Sequence, residues 1–166
     1  TACFCHLLDV NNNFKSNVIG IDIHQELVNL SINNIKKNHL NFLPGNKPYN
    51  GTNKFNNVKI LKRNGWNGYT FSNTKKEIYD AIHVGAGATE IPKQLFHQLK
   101  RGGIMIIPVN GIYKTVFKTL DAKMIVRNGL RVRFVPLVKS IENNSYNKKR
   151  TKSNKRLKKS RKVNKK

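Results

Sequence analysis

Residues 79–109 are the stretch that most restricts what this chain can fold into. An apolar run, Ala81–Val84, ends in a loop of small residues, and a second apolar run, Ile104–Val109, follows Gly102-Gly103. Between them, Ile91–Leu99 carries apolar residues at helical spacing. Neither apolar run alternates with polar residues, which is typical of strands buried on both faces of a parallel sheet. The stretch therefore predicts a strand, a helix and a second, parallel strand joined by a right-handed crossover.

Upstream of this unit, two further strands flank a helix. Asn17–Ile21 is a short apolar strand that ends at Asp22, and Val58–Leu61 is a second one. Gln25–Lys37, between them, is predicted to be a helix. The residues predicted on its inward side are Leu27, Leu30 or Ser31, and Asn34 or Ile35.

The C-terminal part of the pattern is antiparallel. Tyr113–Leu120 and Leu130–Val138 alternate like strands, and they are joined near Asn128-Gly129, a dipeptide that favours tight hairpin turns. Strands that alternate with helices and end in an antiparallel pair predict a doubly wound α/β sheet, mostly parallel.

Charge divides the chain into two regions. The formal net charge is +24 over 166 residues, and residues 148–166 hold twelve Lys or Arg and no acid. This tail is predicted to be disordered, because its few apolar residues cannot offset the entropy of ordering it. We expect a folded domain over residues 1–142 and a basic tail over residues 143–166. The tail is interpreted as a solvated extension, with nucleic-acid contact or nuclear import as the alternatives.

Several kinds of site are not indicated by the sequence. Cys3 and Cys5 are two residues apart, a poor spacing for a disulfide and an incomplete metal site, and the five His residues show no ligand spacing. No Ser-His-Asp, Cys-His or paired-carboxylate set stands out, so no catalytic or metal-binding residue is predicted. No stretch approaches the length of a membrane span and no apolar signal segment precedes the fold, so we expect an intracellular soluble protein.

Three stretches, in the same order, resemble the protein-L-isoaspartate O-methyltransferase family. They are DAIHVGA with its following helix, Gly-Gly and Pro-Val; VIGIDIHQELVNL at residues 18–30; and VRFVPLV at residues 132–138. The resemblance covers residues 1–142 and implies a Rossmann-like methyltransferase sheet with S-adenosylmethionine as co-substrate. The family's opening helices and glycine-rich first strand-turn have no counterpart here. We therefore expect an N-terminally truncated sheet without its central strand, which would lie between Asn17–Ile21 and Ala81–Val84.

The resemblance places a cofactor site at the carboxyl ends of the strands, where open α/β sheets bind ligands. Asp22 would accept hydrogen bonds from both ribose hydroxyls and Ile23 would pack on the adenine, with a cap on the following helix as the alternative for Asp22. Asn64 and Gly65 stand where the family has Asp-Gly, whose acid accepts from the adenine amino group. An amide carries no charge, so weaker affinity is expected, and a plain Asn-Gly turn is the alternative. Trp66 is interpreted as a plug against the core.

The small-residue loop and a late segment complete the implied site. Gly85 and Ala86 would line the cofactor pocket, because small residues let the backbone come close to a ligand. His83 is interpreted as a structural histidine. The residues that would offer backbone groups to an extended substrate peptide are Val135, Pro136, Leu137 and Val138. For Pro136 and Leu137, a place in the ordinary core is the alternative.

The implied activity is methyl transfer from S-adenosylmethionine to the free carboxylate of isoaspartyl and D-aspartyl residues in damaged proteins. That carboxylate is already an anion, so the enzyme has to orient the reactants and exclude water. The truncated chain is expected to be inactive without its N-terminal part. Two alternatives stay open: an RNA or small-substrate methyltransferase, and a non-catalytic remnant whose tail binds nucleic acid. We expect a cytoplasmic monomer that acts on isoaspartyl proteins and has no membrane partner, with nuclear entry an option through the tail.

Overall fold

Strands alternate with helices early in the chain, and consecutive strands close it. The computed structural model describes Phe4 and residues 17–38, 58–70 and 77–139. The elements are β1 (Val18–Asp22), α1 (Gln25–Asn38), β2 (Val58–Lys62), β3 (Tyr79–His83), α2 (Lys93–Gln98), β4 (Leu99–Val109), β5 (Ile112–Lys118) and β6 (Met124–Arg131). They form a two-stranded sheet, β1-β2, and a four-stranded sheet, β3-β4-β5-β6. Within these ranges, no helix is long and apolar enough to cross a membrane.

The strands predicted around Asn17–Ile21 and Val58–Leu61 are confirmed as β1 and β2. They pair in parallel and in register, from Val18 opposite Val58 to Asp22 opposite Lys62. Because parallel neighbours run in the same direction, the carboxyl ends of both strands lie at one edge of this small sheet.

The helix α1 packs on this pair with a face that agrees with the predicted one at Ile35 and differs from it at Leu27. Val28 and Ile35 are buried, whereas Leu27 and Leu30 are 45% and 53% exposed. Ile35 contacts Val58, and the partly buried Ile32 joins them. Residues 28, 32 and 35 repeat at helical spacing, and so do 27, 31 and 35, so the two stripes share Ile35. Packing selects the stripe that contains Val28 and Ile32.

The four-stranded sheet contains the main core, and it confirms the predicted strand-helix-strand unit. β3 pairs in parallel with β4, and α2 connects them. Met105, Ile107, Val116 and Leu99 have no exposed surface, and Leu95 of α2 packs with them. The helix is shorter than the predicted Ile91–Leu99, because its flanking residues 92 and 99 have extended backbones.

The opposite face of the same sheet is more open. The register aligns His83 with Ile106 and Ile104 with Phe117, which pairs with Ile125, so these side chains share a face. Ile106 is 37% and Ile125 49% exposed. Near its edge, the ring of Phe4 lies 5.9 Å from the His83 ring.

Gly102 and Gly103 lie inside β4, not in a turn before it as predicted. Tyr79 pairs with Leu99 and Ala81 with Ile104, so β4 contains extra residues at this point and bulges. Gly102 has a φ of +78°, and a Cβ on Gly103 would lie 2.8 Å from the carbonyl oxygen of Lys100. The glycines allow a bulge in a strand that begins five residues earlier than the apolar run.

The predicted turn at Asn128-Gly129 is wrong. The second strand of the antiparallel pair is Met124–Arg131, and Asn128-Gly129 lies within it, beside an irregularity opposite Lys114. The turn lies at residues 119–123, where the Thr119 hydroxyl accepts the Lys123 N–H at 2.9 Å. Asn-Gly suits a bulge as well as a turn, so the dipeptide did not locate the hairpin.

The predicted strand Leu130–Val138 continues only to residue 131. Residues 132–138 lie outside the strands, except that Pro136 forms an isolated parallel bridge with Gly87. The segment therefore leaves the sheet and passes beside the loop that follows β3.

A buried lysine closes the C-terminal end of α2. Lys118 has 5% of its side chain exposed, and its Nζ donates to the carbonyl oxygen of Leu99 at 2.9 Å. The same nitrogen lies 3.1 Å from Oε1 of Glu77, which is only partly exposed. The hydrogen bond from Lys118 lowers the pKa of Glu77 below its usual value, and nearby positive charge adds to the effect.

The two methionines of the chain offer a matched test of where the core lies. Met105 has no exposed surface, whereas Met124 is 42% exposed. Met105→Ala should lower the free energy of unfolding by about 2–5 kcal/mol, because it leaves a cavity in the core. Met124→Ala should change it by less than about 0.5 kcal/mol. Denaturant unfolding followed by circular dichroism measures both, and equal losses would contradict this core.

Candidate functional site

The residues predicted to bind the cofactor follow the carboxyl ends of three strands. Asp22 ends β1, and Asn64 comes two residues after the end of β2. The parallel register and a hydrogen bond from the Arg63 N–H to the Asp22 carbonyl oxygen, 2.9 Å long, hold these two chain ends together. Gly85 and Ala86 follow β3 in the four-stranded sheet.

Asp22 accepts a hydrogen bond from a nearby backbone group, and its carboxylate can accept further ones. It is half-buried, and its Oδ1 accepts the His24 N–H at 2.8 Å, just before α1 begins. This bond is the one expected if Asp22 caps the following turn. Among the described residues, Oδ2 has no hydrogen-bond partner, so the carboxylate can still accept from a ligand. Ile23, beside it, is half-buried.

Both amide atoms of Asn64 are engaged. Nδ2 donates to the carbonyl oxygen of Lys139 at 2.9 Å, and Oδ1 accepts the Trp66 N–H at 2.9 Å. Gly65 adds a close approach, because a Cβ there would lie 3.1 Å from Leu137 Cδ1. The oxygen keeps a second lone pair, so the predicted contact with adenine is compatible with these bonds. The Asn-Gly turn is also present, since it redirects the chain after β2.

Trp66 packs against the core, as predicted for a plug. The Nζ of Lys139 lies 4.4 Å from the centre of its ring, and the same nitrogen lies 2.8 Å from Oε1 of Glu90. The positive charge of a lysine ammonium in that position is attracted to the face of the aromatic ring, a cation–π interaction. The hydrogen bond from Lys139 lowers the pKa of Glu90. These contacts join the loop after β2 to the segment after β6.

The loop after β3 holds the predicted substrate wall by two backbone hydrogen bonds. The Gly87 N–H donates to the carbonyl oxygen of Val135 at 2.7 Å, and the Leu137 N–H donates to the carbonyl oxygen of Gly87 at 2.8 Å. Leu137 packs against the core, whereas Val135 is 72% exposed. Pro136 is exposed and Val138 is half-buried.

We call the meeting point of residues 64–66, 85–90 and 135–139 the junction. It contains most of the predicted cofactor and substrate residues, and Asp22 and Ile23 reach it through the parallel pairing of β1 with β2. Sequence reasoning missed Gly87, Glu90 and Lys139. The contact of Glu90 with Lys139 spans 49 residues and that of Lys139 with Asn64 spans 75, and no local pattern reports such pairings.

Gln98, the last residue of α2, holds the loop that follows Trp66. It is 6% exposed, its Nε2 donates to the Asn67 carbonyl oxygen at 2.8 Å, and its Oε1 accepts the Tyr69 N–H at 3.1 Å. A buried amide with both ends bonded fixes a loop that has no strand partner. A polar residue on the inward side of a short apolar helix was the available signal for this role.

Among the described residues, the polar groups of the site are carboxylates, an amide, the ammonium of Lys139 and backbone groups. The carboxylate, amide and backbone groups at the sheet edge suit the hydroxyls and ring edge of a nucleoside. His83, predicted as structural, is exposed on β3, and its Nε2 lies 3.4 Å from the Tyr113 hydroxyl. Across the described residues, no group of three or more His, Cys, Asp or Glu is placed to hold a metal ion.

Comparison with known proteins decides the family. The sequence model of the protein-L-isoaspartate(D-aspartate) O-methyltransferases matches residues 1–142. The chain belongs to this family. It is 35% identical to protein-L-isoaspartate O-methyltransferase 2 of Arabidopsis thaliana over 86% of this chain and 41% of that protein. It is 33% identical to protein-L-isoaspartate O-methyltransferase 1 of the same plant over 82% of this chain and 54% of that one.

A solved structure agrees with this family membership and with the predicted α/β methyltransferase fold. A putative protein-L-isoaspartate O-methyltransferase from Plasmodium falciparum, solved in complex with S-adenosyl-L-homocysteine, superimposes with a TM-score of 0.69 at 30% identity. The match covers 84% of this chain and 61% of that one. The chain spans about half the length of these relatives.

Substitution of two glycines tests where close packing requires the absence of a side chain. Of the atoms that the structure describes, the nearest to a Cβ on Gly85 would be His83 Cε1 at 3.9 Å. A Cβ on Gly68, at φ +63°, would overlap the Gln98 side chain. Gly85→Ala should leave the free energy of unfolding within about 0.5 kcal/mol of the parent. Gly68→Ala should lower it by about 1–3 kcal/mol. Thermal unfolding measures both, and a loss at Gly85 would show that packing requires this glycine.

Proposed function

We propose that this chain belongs to an S-adenosylmethionine-dependent methyltransferase that acts on isoaspartyl and D-aspartyl residues of damaged proteins. The family match over residues 1–142 carries the proposal. The Plasmodium falciparum relative, bound to S-adenosyl-L-homocysteine, supports the choice of co-substrate. Asp22 at the carboxyl end of β1, whose Oδ2 has no hydrogen-bond partner within the described ranges, supports the cofactor position.

Asp22, Ile23 and the residues of the junction together bind two ligands, the cofactor and the peptide. Asp22 accepts from the ribose hydroxyls, and Ile23 packs on the adenine. Asn64 and Gly65 face the adenine edge, while Gly85 and Ala86 allow a close approach of the β3 loop. When bound, S-adenosylmethionine supplies an electrophilic methyl group on sulfonium.

The peptide side follows from the backbone of residues 135–138. Val135 and Leu137 direct backbone groups to Gly87. Adjacent residues of an extended segment direct theirs to opposite sides, so Pro136 and Val138 present backbone groups away from Gly87. These groups can bind an extended peptide. The substrate carboxylate is an anion at neutral pH, so the site orients it toward the methyl group and excludes water, with no proton to remove.

We infer that the 166-residue chain does not catalyse this reaction by itself. In the described residues, β1 and β3 belong to separate sheets, and each has one edge without a strand partner. The binding residues on β1 and those after β3 need a fixed distance to share one ligand, since a displacement of about 1 Å is costly in catalysis. A strand placed between β1 and β3 would provide that distance.

The basic tail, the oligomeric state and the location complete the proposal. Residues 148–166 lie outside the described residues, and their charge favours non-specific nucleic-acid contact. The protein acts as a monomer in the cytoplasm, with nuclear entry through the tail.

Activity tests the proposal in two steps. The chain of 166 residues should show no methyl transfer to an isoaspartyl peptide. An extended protein, made by fusing the N-terminal part of the Plasmodium falciparum relative before Thr1, should transfer methyl from radiolabelled S-adenosylmethionine. In that extended protein, Asp22→Ala should weaken cofactor binding by about 1.5–3 kcal/mol, the range for a hydrogen bond to a charged group. Calorimetry measures the affinity.

Asp80→Ala is the matched control for Asp22. Asp80 is an exposed carboxylate near the amino end of β3, paired with Lys100 at 2.8 Å. Its removal should leave cofactor affinity unchanged. Equal affinity in the Asp22→Ala protein and the parent would refute the ribose assignment, and an inactive extended protein would refute the activity.

Removal of residues 148–166 tests the tail. The parent should be retained on heparin or RNA by an interaction that weakens steeply with salt, because each neutralised phosphate releases counterions. The shortened protein should lose this retention. In the extended protein, the deletion should leave methyl transfer to a short isoaspartyl peptide unchanged, and a loss of transfer would place the tail in the active site.

A further inference from the structure

The partners of Asn64 fix the orientation of its side-chain amide. The carbonyl oxygen of Lys139 can only accept, and the N–H of Trp66 can only donate. Nδ2 must therefore face Lys139 and Oδ1 must face Trp66. The side chain links two positions 75 residues apart.

The bond to Lys139 continues the line of contacts that holds the substrate segment. Residues 135, 137 and 139 alternate along the chain, so they direct backbone groups to one side. The first two bond to Gly87, and the third bonds to Asn64. Lys139 is also held by Glu90 and by the face of Trp66. Asn64 thus anchors the end of the segment beyond Val138.

A carboxylate at position 64 would keep only one of these two bonds. It would still accept the Trp66 N–H, but it has no proton to donate to the Lys139 carbonyl oxygen. Two oxygens would then face each other at the distance of the present bond. The family's Asp, introduced here, is therefore not equivalent to the Asn that this chain carries.

We propose that Asn64 is a positioning residue for the peptide substrate, which acts by donating from its amide to Lys139 and so holding the backbone groups of residues 136 and 138 in place. The proposal rests on the function proposed above for the substrate side. It assigns to Asn64 a role in peptide binding that is separable from contact with the cofactor.

The single tryptophan of the chain reports the contact without any need for activity. Fluorescence of Trp66 should be measured from about pH 3.5 to 7.5 in the parent, in Asn64→Asp and in Asn64→Ala. A protonated aspartic acid has a donor, and it titrates near pH 4. Asn64→Asp should emit like the parent at low pH and shift to longer wavelength as the carboxyl ionises, whereas Asn64→Ala should be shifted at every pH.

The parent serves as the control for other titrations near the tryptophan. Among the described residues, the charged groups near position 64 include Lys139, Glu90, Arg63 and Asp22. All four are present in each protein, so a transition found only in Asn64→Asp belongs to the new carboxyl. If Asn64→Asp follows the parent over the whole range, the bond to Lys139 does not hold the segment and the proposal is overturned.

Kinetics in the extended protein test the role in peptide binding. At pH 7.5, Asn64→Asp should raise KM for an isoaspartyl peptide about threefold to tenfold, the effect of losing one hydrogen bond. KM for S-adenosylmethionine should not rise, because a carboxylate still accepts from the adenine amino group. The peptide KM should recover as the pH falls, relative to Asn64→Ala.

The outcomes separate this inference from the proposed function. A rise in KM for S-adenosylmethionine with an unchanged peptide KM would overturn the positioning role and assign Asn64 to the cofactor only. Absence of methyl transfer in the unsubstituted extended protein would count against the proposed function, while the fluorescence result would still decide whether Asn64 holds the segment.

Discussion

The parallel pairing of β3 with β4 is the constraint on which the rest of the described structure depends. It requires a crossover, and the crossover is a helix of six residues that has to cover the core formed by Leu99, Met105 and Ile107. So short a helix leaves much of its polar backbone without partners inside the helix. At the end of this helix, Lys118 donates a hydrogen bond to the carbonyl oxygen of Leu99. Gln98, the last helical residue, donates one to the loop after β2. Core packing and the position of the site are therefore linked through α2.

Sequence patterns predicted the elements that hydrophobic periodicity defines. They did not predict the positions that depend on strand pairing and packing. β1, β2 and the unit around α2 were found because continuous apolar runs and helical spacing are local properties. The hairpin was misplaced because Asn128-Gly129 suits a bulge, while the real turn is stabilised by the side chain of Thr119. The inward face of α1 was predicted correctly at Ile35 and wrongly at Leu27, because two stripes satisfy the same period and only contact with β2 distinguishes them.

The site shows the same division. Loops after parallel strands are where such sheets bind ligands, so Asp22, Asn64 and Gly85 could be proposed from position and from the family resemblance. What joins them could not be, since the contacts of Lys139 with Asn64, Trp66 and Glu90 depend on a segment that leaves the sheet after β6. A lysine in a strongly basic chain carries no signal of its own. Its role comes from the acid and the ring that it meets.

The engagement of Asn64 has a consequence for the chemical ageing of the protein. Asn followed by Gly loses ammonia readily, because the next backbone nitrogen can attack the side-chain carbonyl carbon and form a cyclic imide, which water opens to an aspartyl or an isoaspartyl residue. Gly65 follows Asn64, and two hydrogen bonds restrict the rotation that this attack requires. The hydrogen bonds by which Asn64 holds the segment thus also protect its amide from this reaction. Once the loop opens long enough for cyclisation, the donor is lost for good, and one of the two products is the kind of damaged residue that this family is named for.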